Sequence, residues 1–278
     1  NTIAFFIQAI VVLAEVWFIS KLGTTSLAAV ALAFPVIMLT QQMAFGALGG
    51  AVTSSIARSL GAEDKERAEK LLWHSLLLSC CGYLLFFLVF FIGGESLLMA
   101  LGGEGSLLEE SLLYIKIFLT GAIFIWLSGT LSAALRGIGN MRFPALLMIA
   151  GSGIQVILAG GLILGWFGFP KLGIIGAPLS AISVAALMAI VMIFKFMHSS
   201  SNVQLKLSNL SFKKELFRDI FNVALPASLA PIFTVGTILI LTGLVGQFGV
   251  SALAGYGIGS RIEFLMIPLV FGIGTAMT

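Results

Sequence analysis

"LGTTSLAAVALAFPVIMLTQQMAFGALG", residues 22–49, returns late in the chain as "FGVSALAGYGIGSRIEFLMIPLVFGIGT", residues 248–275, aligned without a gap. Gly23 falls on Gly249, Leu27 on Leu253, Ala28 on Ala254, Leu39 on Leu265, Phe45 on Phe271 and Gly46 on Gly272. Each copy begins with a small turn and continues into an apolar run long enough to cross hydrocarbon about 30 Å thick, which takes about 20 residues. Self-similarity at a fixed offset is the mark of a repeated structural unit.

The composition says what kind of solvent that unit meets. Over 278 residues, 59% are hydrophobic and 10% are charged, and the mean hydropathy is +1.11. A soluble domain carries about 25% charged residues, so this chain lacks the polar surface to cover a globule. Eight apolar stretches predict membrane spans, at about 2–20, 28–57, 72–93, 112–135, 143–165, 173–196, 223–246 and 251–277. No strand-like alternation and no soluble domain fit between them. The fold class is therefore an all-α polytopic membrane bundle.

The charges orient it. Arg58, Lys65, Arg67 and Lys70, then Arg136 and Arg142, then Lys195, Lys206, Lys213, Lys214 and Arg218 fall in alternate connections, eleven of the fifteen basic residues. The other connections hold Lys21, Lys116 and Lys171, while Glu95, Glu104, Glu109 and Glu110 crowd one of them. By the positive-inside rule the first set is cytoplasmic, and the chain starts inside. The net charge of +3 belongs to those loops and does not imply nucleic-acid binding.

Both copies of the repeat lie across an outside turn, between spans one and two and between spans seven and eight. They therefore run the same way, as in secondary transporters whose halves are related by an axis along the membrane normal. The expected organisation is a first six-helix lobe at 1–197, a cytoplasmic linker at 198–222 and the start of a second lobe at 223–278. The linker contains "SFKKELFRDIFN", in which Phe212, Leu216, Ile220 and Phe221 share one face, the pattern of a surface-lying helix. The chain opens with Asn1 inside a span and closes on the apolar "FGIGTAMT", so a piece of a protein of about twelve spans is expected.

Glu15 stands out within "VVLAEVWFISKLG", residues 11–23. An acid at the bilayer centre costs roughly 2.5–3.5 kcal/mol, unless it snorkels to the outer interface. Asn1, Gln8 and Glu15 are spaced by sevens and so share a helix face, and a polar stripe turns toward a cavity or another helix. A carboxyl group that alternates there between protonated and ionised forms is what a proton carrier needs. Glu263, with Tyr256 and Ser260, either lines a lumen or anchors the outer end of its span; its neighbour Arg261 projects to a different face. Gln41, Gln42, Ser152, Gln155, Thr234 and Thr237 are cavity-lining candidates, or interhelical hydrogen-bonding residues.

Other chemistries find no foothold. There is no Walker A pattern, and "GYGIGS" follows no strand, so it is not a phosphate loop. His74 and His198 sit at span ends, and no catalytic triad or metal-ligand cluster lies within a span. No enzyme activity, cofactor or bound metal is expected. Cys80 and Cys81 are adjacent in an apolar run and are expected to be buried, unbridged small hydrophobes.

Taken together, "LGTTSLAAVALAFP", "ARSLGAEDKERAEKL", "AALRGIGNMRFP", "LGIIGAPLSAIS" and "ALAGYGIGSRIE" resemble the multidrug and toxic compound extrusion (MATE) family, of the MOP flippase superfamily. The resemblance runs through the whole chain in order. It implies a twelve-helix transporter of two six-helix lobes, with organic cations and drugs as cargo exchanged for protons or sodium. Glu15 falls where that family usually has an aspartate linked to cation coupling. An Asn-x-x-x-Asp pattern common in the fifth helix reads Gln155 and Ala159 here. The glutamate of sodium-coupled bacterial members aligns with Thr234. Within the first lobe Glu15 is thus expected to act almost alone, with Gln8 orienting its carboxyl group.

The expected function is secondary-active export by alternating access, from a monomer in the inner, cytoplasmic membrane with its N-terminus inside. The rival within the superfamily is a lipid-linked oligosaccharide flippase, which calls for cationic residues in its lumen; Arg261 is the one strongly intramembrane base. A rival of another class is a non-transporting scaffold subunit, which has no use for Glu15.

Overall fold

The computed structural model describes residues 2–198, 203–205 and 212–263, with side chains in the first helix described at residue 7 and from residue 10 onward. The helices are α1 (Thr2–Ser20), α2 (Thr24–Gln41), a π-helical segment (Gln42–Leu48), α3 (Gly49–Gly61), α4 (Lys65–Ala100), α5 (Gly105–Gly137), α6 (Arg142–Leu164), α7 (Gly176–His198), α8 (Lys214–Gly246) and α9 (Val250–Glu263). Among the described residues, six stretches are long and apolar enough to cross a membrane: Thr24–Gly61, Lys65–Ala100, Gly105–Gly137, Arg142–Leu164, Gly173–His198 and Lys214–Gly246. A shorter apolar stretch, Ile10–Ser20, lies in α1. The last expected span is described only as far as Glu263.

Local chemistry sets the turns. Asp64 caps α4 by accepting from the Arg67 backbone N–H at 2.9 Å, directly after Glu63 takes a left-handed conformation with φ 59°. Gly139, with φ 82°, ends α5, and Asn140 Oδ1 accepts from the Phe143 N–H at 3.1 Å to start α6. Pro226 and Pro231 lie inside α8, which continues through both.

α5 runs through the middle of the bundle and packs against α2, α3, α4 and α7. Small residues permit this. A Cβ on Gly129 would meet Ala44 O at 3.2 Å, and one on Gly137 would meet Thr53 O at 2.9 Å. With Ala133 these residues form a stripe one helical turn apart, the small-residue spacing that lets membrane helices approach closely. Thr53 Oγ1 donates across the gap to Ala133 O at 2.9 Å. The glycine-rich run 46–50 contributes Gly49, whose Cβ would lie 3.5 Å from the Ala133 methyl.

The two copies of the repeat meet. α2 packs against α9, and the aligned pairs Leu27 and Leu253, Ala28 and Ala254 are all buried. Ala31 and Gly257 occupy the same position in the two copies, and a Cβ on Gly257 would overlap the Ala31 methyl. Equivalent positions of the two aligned stretches thus meet at the α2–α9 contact.

Two expectations are corrected here. Cys80 and Cys81 are free thiols exposed on the outer face of α4. That face is a bare apolar flank, with Leu85 and Ile92 also exposed, because α4 lies at the edge of the bundle. The amphipathic stretch is no separate surface helix: from Lys214 onward it forms the first turns of α8, with Leu216 and Ile220 buried in the bundle core. Phe212 and Phe221 face outward, so the four apolar residues do not share one buried face.

Those first turns are tied to the basic end of the bundle. Asp219 bridges Arg58 at 3.2 Å and Arg67 at 3.0 Å. The Lys213 N–H donates to Nε2 of buried His74 at 3.0 Å, which leaves Nδ1 to donate to Lys70 O at 2.7 Å. The Gln204 N–H donates to the buried carboxylate of Glu69 at 3.2 Å.

Candidate functional site

Glu15 lies five residues before the end of α1 and is half-buried. α1 packs against α6, α2 and α9, which keeps Val11, Val16, Phe18 and Ile19 inside. Trp17 is the exposed side of the same turn. It meets Trp166 at 6.2 Å and carries Lys21 over its ring at 4.9 Å. Phe18 meets Trp166 edge-on at 5.4 Å. These amphipathic rings gather at the helix end, where an interfacial belt is favoured.

The Glu15 carboxylate has a partner from the middle of the bundle. Tyr114 of α5, itself 4% exposed, donates its hydroxyl to Glu15 Oε1 at 3.2 Å. A second partner comes from α9. Arg261 is 6% exposed and its guanidinium sits over the Phe34 ring of α2 at 5.1 Å. Its charge acts electrostatically on both Glu15 and Tyr114. Among the described residues it forms no direct ion pair with Glu15, and its Nε has no hydrogen-bond partner. An α5 hydroxyl thus contacts the Glu15 carboxylate directly, and an α9 guanidinium adds its charge to the surroundings.

The other candidates scatter. Gln41 is exposed and Gln42 half-buried. Gln42 opens the π segment, and its amide nitrogen is buried without a partner; π turns inside α-helices recur at functional sites. Ser152 is buried and Gln155 half-buried in α6, while Thr234 and Thr237 are exposed on α8. Thr237 turns its hydroxyl back to Phe233 O at 3.0 Å. Glu263 is exposed at the end of the described α9. The Gln8 side chain and Asn1 lie outside the described residues, so the stripe of sevens is traced only at Glu15. Among the described residues, no group of three or more His, Cys, Asp or Glu is placed to hold a metal ion.

Sequence reasoning missed Tyr114 and gave Arg261 no partner. One signal for Tyr114 was available, since it is one of three tyrosines and lies inside the apolar "SLLYIKIFL". Nothing local shows that it meets a residue 99 positions away.

The MatE family profile matches residues 2–160 of the chain. An FAD transporter of Shewanella oneidensis is 26% identical over 95% of this chain and 58% of its own length. The multidrug export protein MepA of Staphylococcus aureus is 28% identical over 93% of this chain and 57% of its own. Among solved structures, an inward-facing multidrug resistance MATE family transporter of the MOP superfamily superposes with a TM-score of 0.87 at 29% identity, covering 94% of this chain and 59% of that one. The chain thus spans a little under three fifths of the length of these relatives.

Proposed function

The chain belongs to the MatE family, and on that premise we propose that its full-length protein exports organic cations and drugs in exchange for protons, with Glu15 as the coupling carboxylate. The observation that carries this is the Glu15 site itself. One carboxylate is drawn into a membrane bundle, hydrogen-bonded by Tyr114 at 3.2 Å and placed between α1, α5 and α9. An ionised Glu15 attracts a cationic substrate; a protonated Glu15 releases it. With α9 as part of the expected second lobe, the state of Glu15 acts where the lobes meet, and rocking of one lobe against the other alternates access to the two sides.

Proton coupling fits this site better than sodium. A sodium ion at Glu15 would need several oxygen ligands, and a proton does not. The basic residues in alternate connections support an N-terminus on the cytoplasmic side of the membrane, and the proposal takes the protein as a monomer in the cytoplasmic membrane.

A second reading follows from Arg261. A buried guanidinium with an unpartnered Nε suits an anionic group, and one relative is named as an FAD transporter. Diphosphate-bearing cargo, dinucleotide or lipid-linked, is the alternative. A scaffold subunit gains nothing from a costly intramembrane carboxylate.

The deciding experiment is ethidium efflux from vesicles containing the full-length protein, driven by an imposed pH or sodium gradient. Efflux should follow the pH gradient and disappear in Glu15→Gln. Unchanged gradient-driven efflux in that variant sinks the coupling role, and accumulation of a flavin dinucleotide in place of ethidium favours the second reading.

A further inference from the structure

We propose that Arg261 is a specificity residue of this site: a tethered cation seated on the Phe34 face near Glu15, which a transported organic cation must displace. The proposal rests on the Glu15-centred cation exporter described above. A guanidinium is planar, delocalised and weakly hydrated, and it binds an aromatic face as a planar organic cation does. Arg261 meets Phe34 in this manner, 5.1 Å from the ring centroid. The place that would recognise a flat cationic substrate already holds a flat cation belonging to the protein.

Its mode of attachment suits exchange. A buried arginine that serves only to neutralise a carboxylate normally pairs with it through two parallel hydrogen bonds. Arg261 makes no such pair among the described residues, and its Nε is buried without a partner. Among the described residues no ion pair or hydrogen bond of its Nε holds it, so another cation can take its place without breaking such a pair. The carboxylate is meanwhile kept in position by the Tyr114 hydroxyl from α5.

The charge balance gives Arg261 a second effect. With Glu15 ionised, the pair is neutral; with Glu15 protonated, the site carries one positive charge. The site therefore switches between neutral and positive, where a lone Glu15 would switch between negative and neutral. A cation is bound less tightly in the first state and expelled more forcefully in the second. Other charged or titratable groups on the elements packed against α1 are Arg142 at the far end of α6 and Tyr256 and Glu263 on α9, with Lys21 following α1 itself; α2 carries none. Of all of these, Arg261 is the one that acts on Glu15, alongside Tyr114 of α5.

The test is equilibrium binding of ethidium, a planar monocation, to the full-length protein in nanodiscs across a range of pH, with melting followed in parallel. Arg261→Gln removes the charge and should bind ethidium at least about tenfold more tightly where Glu15 is ionised. It should also retain ethidium at acid pH where the unmodified protein lets go. Arg261→Met, which keeps the apolar stem, carries the same expectation should Arg261→Gln fail to fold. Arg261→Lys restores the charge and should restore the pH profile. Equal affinity and equal pH profile in Arg261→Gln overturn this proposal alone, as does equal tightening in Arg261→Lys, which would assign the effect to packing. Binding of ethidium by neither the unmodified protein nor Arg261→Gln overturns the cation-export function as well.

Discussion

Gly257 of α9 faces Ala31 of α2 so closely that a single methyl group on the glycine would overlap the alanine side chain. The two residues hold the same position in the two copies of the repeat, and both helices cross at their smallest side chains. Gly257→Ala should therefore destabilise the full-length protein by about 1–3 kcal/mol, the usual cost of overpacking. Adding Ala31→Gly moves the methyl from one side to the other and should recover most of the loss. Thermal melting of the single and double variants checks this; equal melting of Gly257→Ala and the unmodified protein would show that the two helices do not meet tightly at this pair.

Tyr114→Phe keeps the ring that packs at the centre of α5 and removes only the hydroxyl that reaches Glu15. A hydrogen bond to a charged group contributes about 1.5–3 kcal/mol. The expected result is gradient-driven ethidium efflux slowed by about tenfold or more, with melting little changed. A variant that transports normally would show that Tyr114 fills space and does not position the carboxyl group.

At the basic end, the two kinds of tie differ in strength. Asp219 and its arginines are partly exposed, at 26%, 53% and 46%, and such pairs contribute about 0–1 kcal/mol each, less in salt. His74 is fully buried and its Nε2 satisfies a backbone N–H. Removing it leaves that donor unpaired, at about 1–3 kcal/mol, before any cavity is counted. His74→Ala should thus lower the melting temperature clearly more than Asp219→Asn, and only the Asp219 effect should shrink in high salt.

Cys80 and Cys81 project from the bare flank of α4. Replacing both with alanine should change stability by less than about 0.5 kcal/mol, as for substitutions away from packed features. A loss of 2 kcal/mol or more, measured by melting, would return them to a buried contact.

The sequence by itself determined the parts that depend on neighbours along the chain. Apolar runs fixed where the helices lie: each of the first seven expected spans falls on a helix of the structure, and the eighth is described only as far as Glu263. Asp64, Gly139 and Asn140 marked the helix boundaries through capping and left-handed backbone geometry, chemistry that works over three or four residues. The repeat was legible because residues 22–49 and 248–275 keep one register. Glu15 was legible as a charge in the wrong solvent. The tertiary structure alone decided what surrounds that charge. Tyr114 reaches it because Gly129, Ala133 and Gly137 let α5 settle into the centre of the bundle. Arg261 comes near because Gly257 lets α9 settle against α2. These contacts join positions far apart in the chain, and no helical period encodes them. The outward face of the cysteines and the merging of the amphipathic stretch into α8 were likewise invisible in the sequence. An apolar side chain reads the same whether it faces lipid or a neighbouring helix, and only packing separates the two.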